Sequence, residues 1–200
     1  MPAKIEETMG SHFAGSRVRL RALEPSDWET HFRWRLDSDL GSLMDAVRFP
    51  SSTLLVREWV EAQARKGPER DEFLFCIEQI DVTPMGTPIG TLITHTTNPR
   101  CGTFMYGIWV DAEYRRRGYA SEAIALTLRY YFEECRYQKV NVEIHEFNTP
   151  SIRLHEQLGF VKEGRLRRMI YTGGRFYDAL LYGMTREELA ERDMLARPAV

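Results

Sequence analysis

What this sequence lacks narrows its chemistry first. It has three cysteines, Cys76, Cys101 and Cys135, at wide spacings that match no zinc or redox pattern. Reduced thiols in a cytoplasm are the plain reading. Its five histidines contain no HExxH-type pair, so a metal enzyme is not expected. No run of about 18 apolar residues occurs, so no membrane-spanning helix is expected. The opening MPAKIEETMG has no apolar stretch of the kind a secretory signal needs. Neither charge is in excess: 27 basic against 29 acidic residues leave a formal net charge of −2. Domains whose task is to grip polyanions usually carry a strong basic excess, so nucleic acid is not the expected partner.

What is present suits one domain. Two hundred residues with 43% hydrophobic and 28% charged side chains can bury a sizeable core without a second unit. Residues 1–16 are polar and patternless and are expected to be a flexible terminus, followed by a domain over 17–187 and a tail over 188–200. RVRLRAL (17–23) alternates apolar with basic residues, the period of a strand with one buried face. Ser26 is the expected cap of a helix burying Trp28, Phe32 and Leu36. A second helix follows the serines at 51 and 52, with Leu55, Trp59 and Ala62 on one side and Gly67 as its stop.

FLFCIEQI, IGTLITHTT and TFMYGIWV then read as three strands of an antiparallel meander, joined by turns rich in proline and glycine. Apolar residues at 120, 123, 124, 128, 131 and 132 have helical periodicity. KVNVEIHEF alternates again, so the preceding strand, this helix and this strand form a right-handed parallel crossover. A short helix over NTPSIRLHEQLGF, capped by Asn148 or Thr149 and ended by Gly159, precedes two strands around Gly173-Gly174. The expected fold is therefore one α/β domain: a mixed sheet with a parallel strand pair and flanking helices.

The most informative stretch is YRRRGYASEA (114–123), which joins a strand to a helix. Helix N-termini leave backbone N–H groups unpaired and carry partial positive charge, so anions sit there readily. Gly118 lets the chain turn with its amides exposed, Ala120 leaves room for a close ligand, and Arg115, Arg116 and Arg117 add fixed charge. That chemistry suits a pyrophosphate, although a basic surface turn has the same composition.

The spacing R-x-x-G-x-A (Arg115, Gly118, Ala120), between a strand and an amphipathic helix, resembles the central motif of the Gcn5-related N-acetyltransferases (GNAT). VEIHEFNTPSIRLHEQLGF resembles that family's next strand and helix. The similarity runs through most of residues 17–187, toward the branch holding the RimJ/RimL-type ribosomal-protein N-terminal acetyltransferases and the polyamine acetyltransferases. The resemblance implies a twisted, mostly antiparallel sheet, acetyl-CoA as co-substrate without a metal, and, as a family habit, a homodimer. It implies that the loop and helix start, Arg115, Arg116, Arg117, Gly118, Tyr119, Ala120 and Ser121, hold the pyrophosphate. Backbone groups of the strand around Ile108 and Val110 would take the pantetheine arm and the thioester oxygen, with Asn148 and Ser151 beside them.

Two residues are candidate catalytic groups. His155 stands where relatives often carry a tyrosine assigned as the acid that protonates the departing thiolate. An imidazole with an ordinary pKa of about 6.5 can donate a proton to a thiolate of about 8.5; neutral, it can donate a hydrogen bond without transferring charge, and it can equally pack or cap within its helix. Positions four and seven apart share a helix face, so Asn148, Ser151 and His155 are expected in one groove, unless the first stays in the cap. Glu143 sits at the spacing of the proposed base in relatives resembling ribosomal-protein alanine acetyltransferases. A carboxylate working through water suits an α-amine of pKa about 8 better than a lysine-like one of about 10.4. On an alternating strand it can also simply face solvent or pair with an arginine.

The expected reaction is acetyl transfer to a primary amine by direct attack, on a peptide N-terminus, a polyamine, an aminoglycoside or another small amine. Trp28, Trp34, Glu24, Asp27, Asp37, Asp39 and Asp45 in the leading helices would suit a cationic acceptor. They suit a core and a wet surface as well. A catalytically weak acyl-CoA-binding sensor or scaffold is the other reading.

Overall fold

The computed structural model describes residues 11–44, 47, 49–82 and 86–192. Seven strands form one sheet in the order β1-β2-β3-β4-β5-β7-β6. In chain order they are β1 (Val18–Arg21), β2 (Phe73–Gln79), β3 (Thr87–Asn98), β4 (Thr103–Val110), β5 (Lys139–His145), β6 (Val161–Thr172) and β7 (Arg175–Thr185). Among the described residues six α-helices accompany them: α1 (Trp28–Arg35), α2 (Ser38–Met44), α3 (Thr53–Arg65), α4 (Tyr119–Arg129), α5 (Thr149–Leu158) and α6 (Arg186–Glu191). All neighbouring strands are antiparallel except β4 and β5, which α4 connects as a parallel crossover. This is the mixed sheet expected from the alternation of periods.

Each sheet face has its own cover. Phe104 and Tyr106, two apart on β4, share one face; Phe104 stacks on Tyr131 beyond α4, and Tyr106 meets His155 of α5. The main core lies there, with Val140, Val142 and Ile144 of β5 and Ala123, Ile124 and Leu128 of α4. On the other face α1 and α3 pack Val56, Val60, Trp28, Phe32 and Trp59 against Leu23, Leu74 and Cys76.

Several local expectations are corrected by this packing. Ser26 does not cap α1. A short 3₁₀ turn, Pro25–Asp27, leads into it, and Glu24 and Asp27 form a reciprocal capping box. The buried α1 residues are His31 and Trp34, while Leu36 lies at the C-cap and is exposed. In α3 the buried positions are Val56 and Val60, and Leu55 is exposed; the apolar triplet 54–56 spans the face, and the sheet selects its last member. Lys66, in extended conformation, ends this helix rather than Gly67.

Both ends of the domain reach further than expected. Phe13 packs on Phe75 and Tyr130, and Ala14 bridges Arg19, so residues 11–16 dock rather than trail. Leu189 of α6 is 1% exposed and belongs to the core, so the domain continues past 187. Residues 1–10 and 193–200 lie outside the described residues. No helix among the described residues is long and apolar enough to cross a membrane.

Candidate active site

The parallel pairing of β4 with β5 stops almost as soon as it starts. Thr103, Phe104 and Met105 face Lys139, Val140 and Asn141, and there the ladder ends. Beyond it β4 stays on β3 to Val110, while β5 stays on β7 to His145. The two strands therefore splay into a cleft of about 1030 Å³, narrow at Tyr106 and wide where α4 and α5 begin. Such openings at the carboxyl ends of parallel strands are where α/β sheets take ligands.

The strand wall offers backbone groups. The Asp111 N–H bonds the Ile89 carbonyl on β3, so along an antiparallel pair the even residues Tyr106, Ile108 and Val110 turn their N–H and C=O groups the other way, into the cleft. The Val110 carbonyl is already taken by Arg115 Nε at 2.9 Å. This folds the loop back onto the strand end and leaves Arg116 as the guanidinium lining the cleft from that loop without such a tie.

At the wide end Gly118 caps α4 with φ +83°. A Cβ there would stand 2.6 Å from Arg17 Nη1, which donates to the Arg117 carbonyl at 2.7 Å. Glycine adopts this left-handed conformation without a Cβ penalty and leaves room for that close approach. The first α4 residues, Tyr119, Ala120 and Ser121, line the cleft, and their N–H groups begin the helix without intrahelical partners. The Tyr119 ring itself is buried, its hydroxyl on Asp81, so only its backbone serves the opening. Arg117 is not part of the lining. Its guanidinium lies over the Tyr114 ring.

The loop is fastened to the N-terminal strand by a residue that pattern reading passed over. Glu122, in the first turn of α4, accepts the N–H groups of Ser16, Arg17 and Val18 at 2.8–2.9 Å and the Ser16 hydroxyl at 2.8 Å. Nothing in the local sequence marks it, because its partners lie more than 100 residues earlier.

The α5 side brings Asn148, Ser151 and His155 to one wall. Asn148 is the N-cap, accepting the Ser151 N–H, and Gly159 at φ +95° ends the helix. His155 is 2% exposed. Its Nδ1 lies 2.8 Å from the Ser151 carbonyl oxygen and its Nε2 lies 2.9 Å from the Tyr106 hydroxyl. Burial lowers its pKa below the usual histidine value, the Ser151 hydrogen bond opposing this only in part. Both ring nitrogens are engaged, and the lowered pKa disfavours the imidazolium form considered for His155. Glu143, by contrast, is an exposed β5 side chain at the cleft.

The expected acceptor residues are mostly spoken for. Trp34 is 6% exposed, stacks edge-on against Trp109 and donates its indole N–H to Asp111. Trp28 carries Arg57 over its ring. Asp27, 4% exposed, pairs with Arg21, and Asp37 caps the start of α2 through the Leu40 N–H. Asp39 is exposed, and Asp45 lies outside the described residues. Leu40 and Leu43 of α2 line the cleft, a contribution the sequence reading missed.

The family model for the acetyltransferase (GNAT) domain matches residues 17–161. The SPbeta prophage-derived uncharacterized N-acetyltransferase YokL of Bacillus subtilis is 42% identical over 89% of this chain and 95% of its own length. This chain belongs to the GNAT acetyltransferases. It is accordingly an acyltransferase. Two solved structures share the GNAT fold at low identity. Spermidine N-acetyltransferase from Vibrio cholerae, in complex with CoA and spermine, has a TM-score of 0.74 at 21% identity, over 88% of this chain and 99% of that one. The microcin C7 self-immunity acetyltransferase MccE, in complex with acetyl-CoA and AMP, has a TM-score of 0.73 at 15% identity, over 86% and 93%. A GNAT co-substrate fits the observed cleft: a left-handed glycine and free helix amides at the wide end, strand amides along one wall.

Proposed function

We propose that this chain transfers the acetyl group of acetyl-CoA directly to a primary amine, a peptide N-terminus or a small single amine. The observation that carries this reading is the splay of β4 from β5, with Gly118 and Arg116 at its wide end and Glu143 at the cleft. Arg116 and the amides of 119–121 hold the diphosphate. The inward backbone groups of Ile108 and Tyr106 align the thioester, and an N–H there meets the developing oxyanion, an interaction worth about 3 kcal/mol of barrier in comparable sites. Asn148 and Ser151 shape the opposite wall. Acetyl-CoA supplies an activated thioester carbonyl. Glu143, through water, takes the proton of the attacking amine.

The choice of a single amine is supported by the state of the carboxylates. Asp27, Asp37, Asp111, Glu146 and Asp178 each accept from a neighbouring arginine, indole or backbone N–H. A polyamine gripped along its length needs several free carboxylates, and Glu143 carries no such tie. A cytoplasmic setting agrees with the three free cysteines. A homodimer rests on family likeness, and sedimentation velocity reads it.

The test is CoA release with N-terminal peptides, polyamines and aminoglycosides as acceptors. Turnover is expected with peptides or simple amines, and Glu143→Gln should lower it about 100-fold or more and change the pH–rate profile. An unchanged pH–rate profile removes Glu143 from the role. The neutral, buried His155 favours one second reading, an acyl-CoA-binding sensor, which predicts binding of acetyl-CoA without turnover on any amine.

A further inference from the structure

The reaction above leaves one charge without a partner. When the tetrahedral intermediate collapses, the C–S bond breaks, its electron pair stays on sulfur, and the thiolate needs a hydrogen-bond donor. His155 faces the cleft but has no hydrogen to offer. The Ser151 carbonyl can only accept, so Nδ1 holds the ring's hydrogen, and Nε2 must accept from the hydroxyl 2.9 Å away. The movable hydrogen of the pair is therefore on the Tyr106 oxygen.

Tyr106 is well placed to use it. It is the first β4 residue past the last β4–β5 pair, at the narrow end of the cleft that both rings line. Its ring is 4% exposed and packs with His155 and Phe160, which also packs edge-on against the imidazole. At this contact the other polar groups are the Ser151 carbonyl and its hydroxyl, 3.4 Å from Nδ1. On β5, exposed Glu143 and half-buried His145 line the same cleft, and exposed Arg153 does so from α5. A tyrosine buried to this depth requires a partner for its hydroxyl, and here that partner is a side chain of the opposite wall.

Resting on the reading that acetyl-CoA occupies this cleft, we propose that the Tyr106 hydroxyl is the hydrogen-bond donor to the departing CoA sulfur. His155 is the positioning residue that holds it beforehand. As the C–S bond breaks, the O–H turns from Nε2 to sulfur. The proton stays on oxygen, because burial holds it more tightly than an ordinary phenol, well above a thiol. No phenolate forms, CoA leaves as the thiolate, and solvent protonates it after release. The hydroxyl thus comes from a strand, not from the helix.

The test is the acidity of the thiol in the CoA complex, followed by thiolate absorbance across pH, in the wild type and in Tyr106→Phe. The wild type is expected to hold about 10-fold more thiolate at a given pH. The variant's kcat falls about 10- to 100-fold, with the KM for acetyl-CoA within about 2-fold. His155→Gln, whose amide oxygen still accepts the hydroxyl, keeps bound-thiol acidity near wild type, and His155→Leu lowers it. Equal thiol acidity in wild type and Tyr106→Phe, with CoA bound to both, overturns the assignment of Tyr106 alone. Failure of the wild type to bind CoA overturns the parent reading and this assignment with it.

Discussion

Replacing Glu122 with glutamine tests how the loop before α4 is held. One carboxylate accepts four hydrogen bonds from residues 16–18, two on each oxygen. An amide keeps one acceptor oxygen and turns an N–H₂ toward donors on the other side, so two charge-assisted bonds are lost. Each is worth about 1.5–3 kcal/mol when protected. Ser16 and Arg17 lie near solvent and can rehydrate, so a net loss of about 2 kcal/mol is expected. For a domain of this size that lowers Tm by about 4–8 °C. The same segment carries Arg17, whose guanidinium holds the Arg117 carbonyl at the mouth of α4, so the loop loosens with it. Acetyl-CoA affinity measured by calorimetry should fall about 3- to 10-fold on that account. Urea unfolding and the titration together check the reasoning. A variant within about 0.5 kcal/mol of wild type, with unchanged affinity, would refute the claim that this carboxylate ties the N-terminal strand to the loop.

The arginines of the loop should separate cleanly: Arg116→Ala weakens acetyl-CoA binding about 10-fold in a calorimetric titration, while Arg117→Ala, whose side chain lies over Tyr114, stays within about 2-fold. His31, buried between Trp34 and Trp59, has its pKa pushed down to about 4, chiefly by burial. The unfolded chain therefore binds the extra proton first as pH falls from about 6.5, and stability is lost progressively toward pH 4, by up to about 1.4 kcal/mol per pH unit. His31→Phe should flatten that part of the curve in urea midpoints taken at pH 5 and 7, and an unchanged slope would mean that another group controls it.

How far the order of residues reveals the molecule depends on which interactions are local. The alternation in KVNVEIH and the 3.6-residue spacing after Ala120 arise from which side chains can share one face, and both elements stand where those periods put them. Gly118 was legible for the same reason, since a helix start with a left-handed residue has few chemical solutions. The face of α1 was not. Trp28, Trp34 and Phe32 are all large and apolar, and contacts with Trp109 on β4 and Asp111 just after it seat Trp34 inward. The same holds for Asp27, an ordinary acidic residue until Arg21 is folded against it.

The sequence by itself determined the elements, their order, the crossover and the glycine turn before α4, because propensity, periodicity and glycine chemistry act over a few residues. Tertiary structure alone decided where β4 leaves β5, which loop arginine meets the cleft, and that Glu122 clasps residues 16–18. It also decided that His155 meets the hydroxyl of a tyrosine 49 residues away. Those outcomes depend on burial and on partners distant in the chain, and the state of a titratable group is set by both.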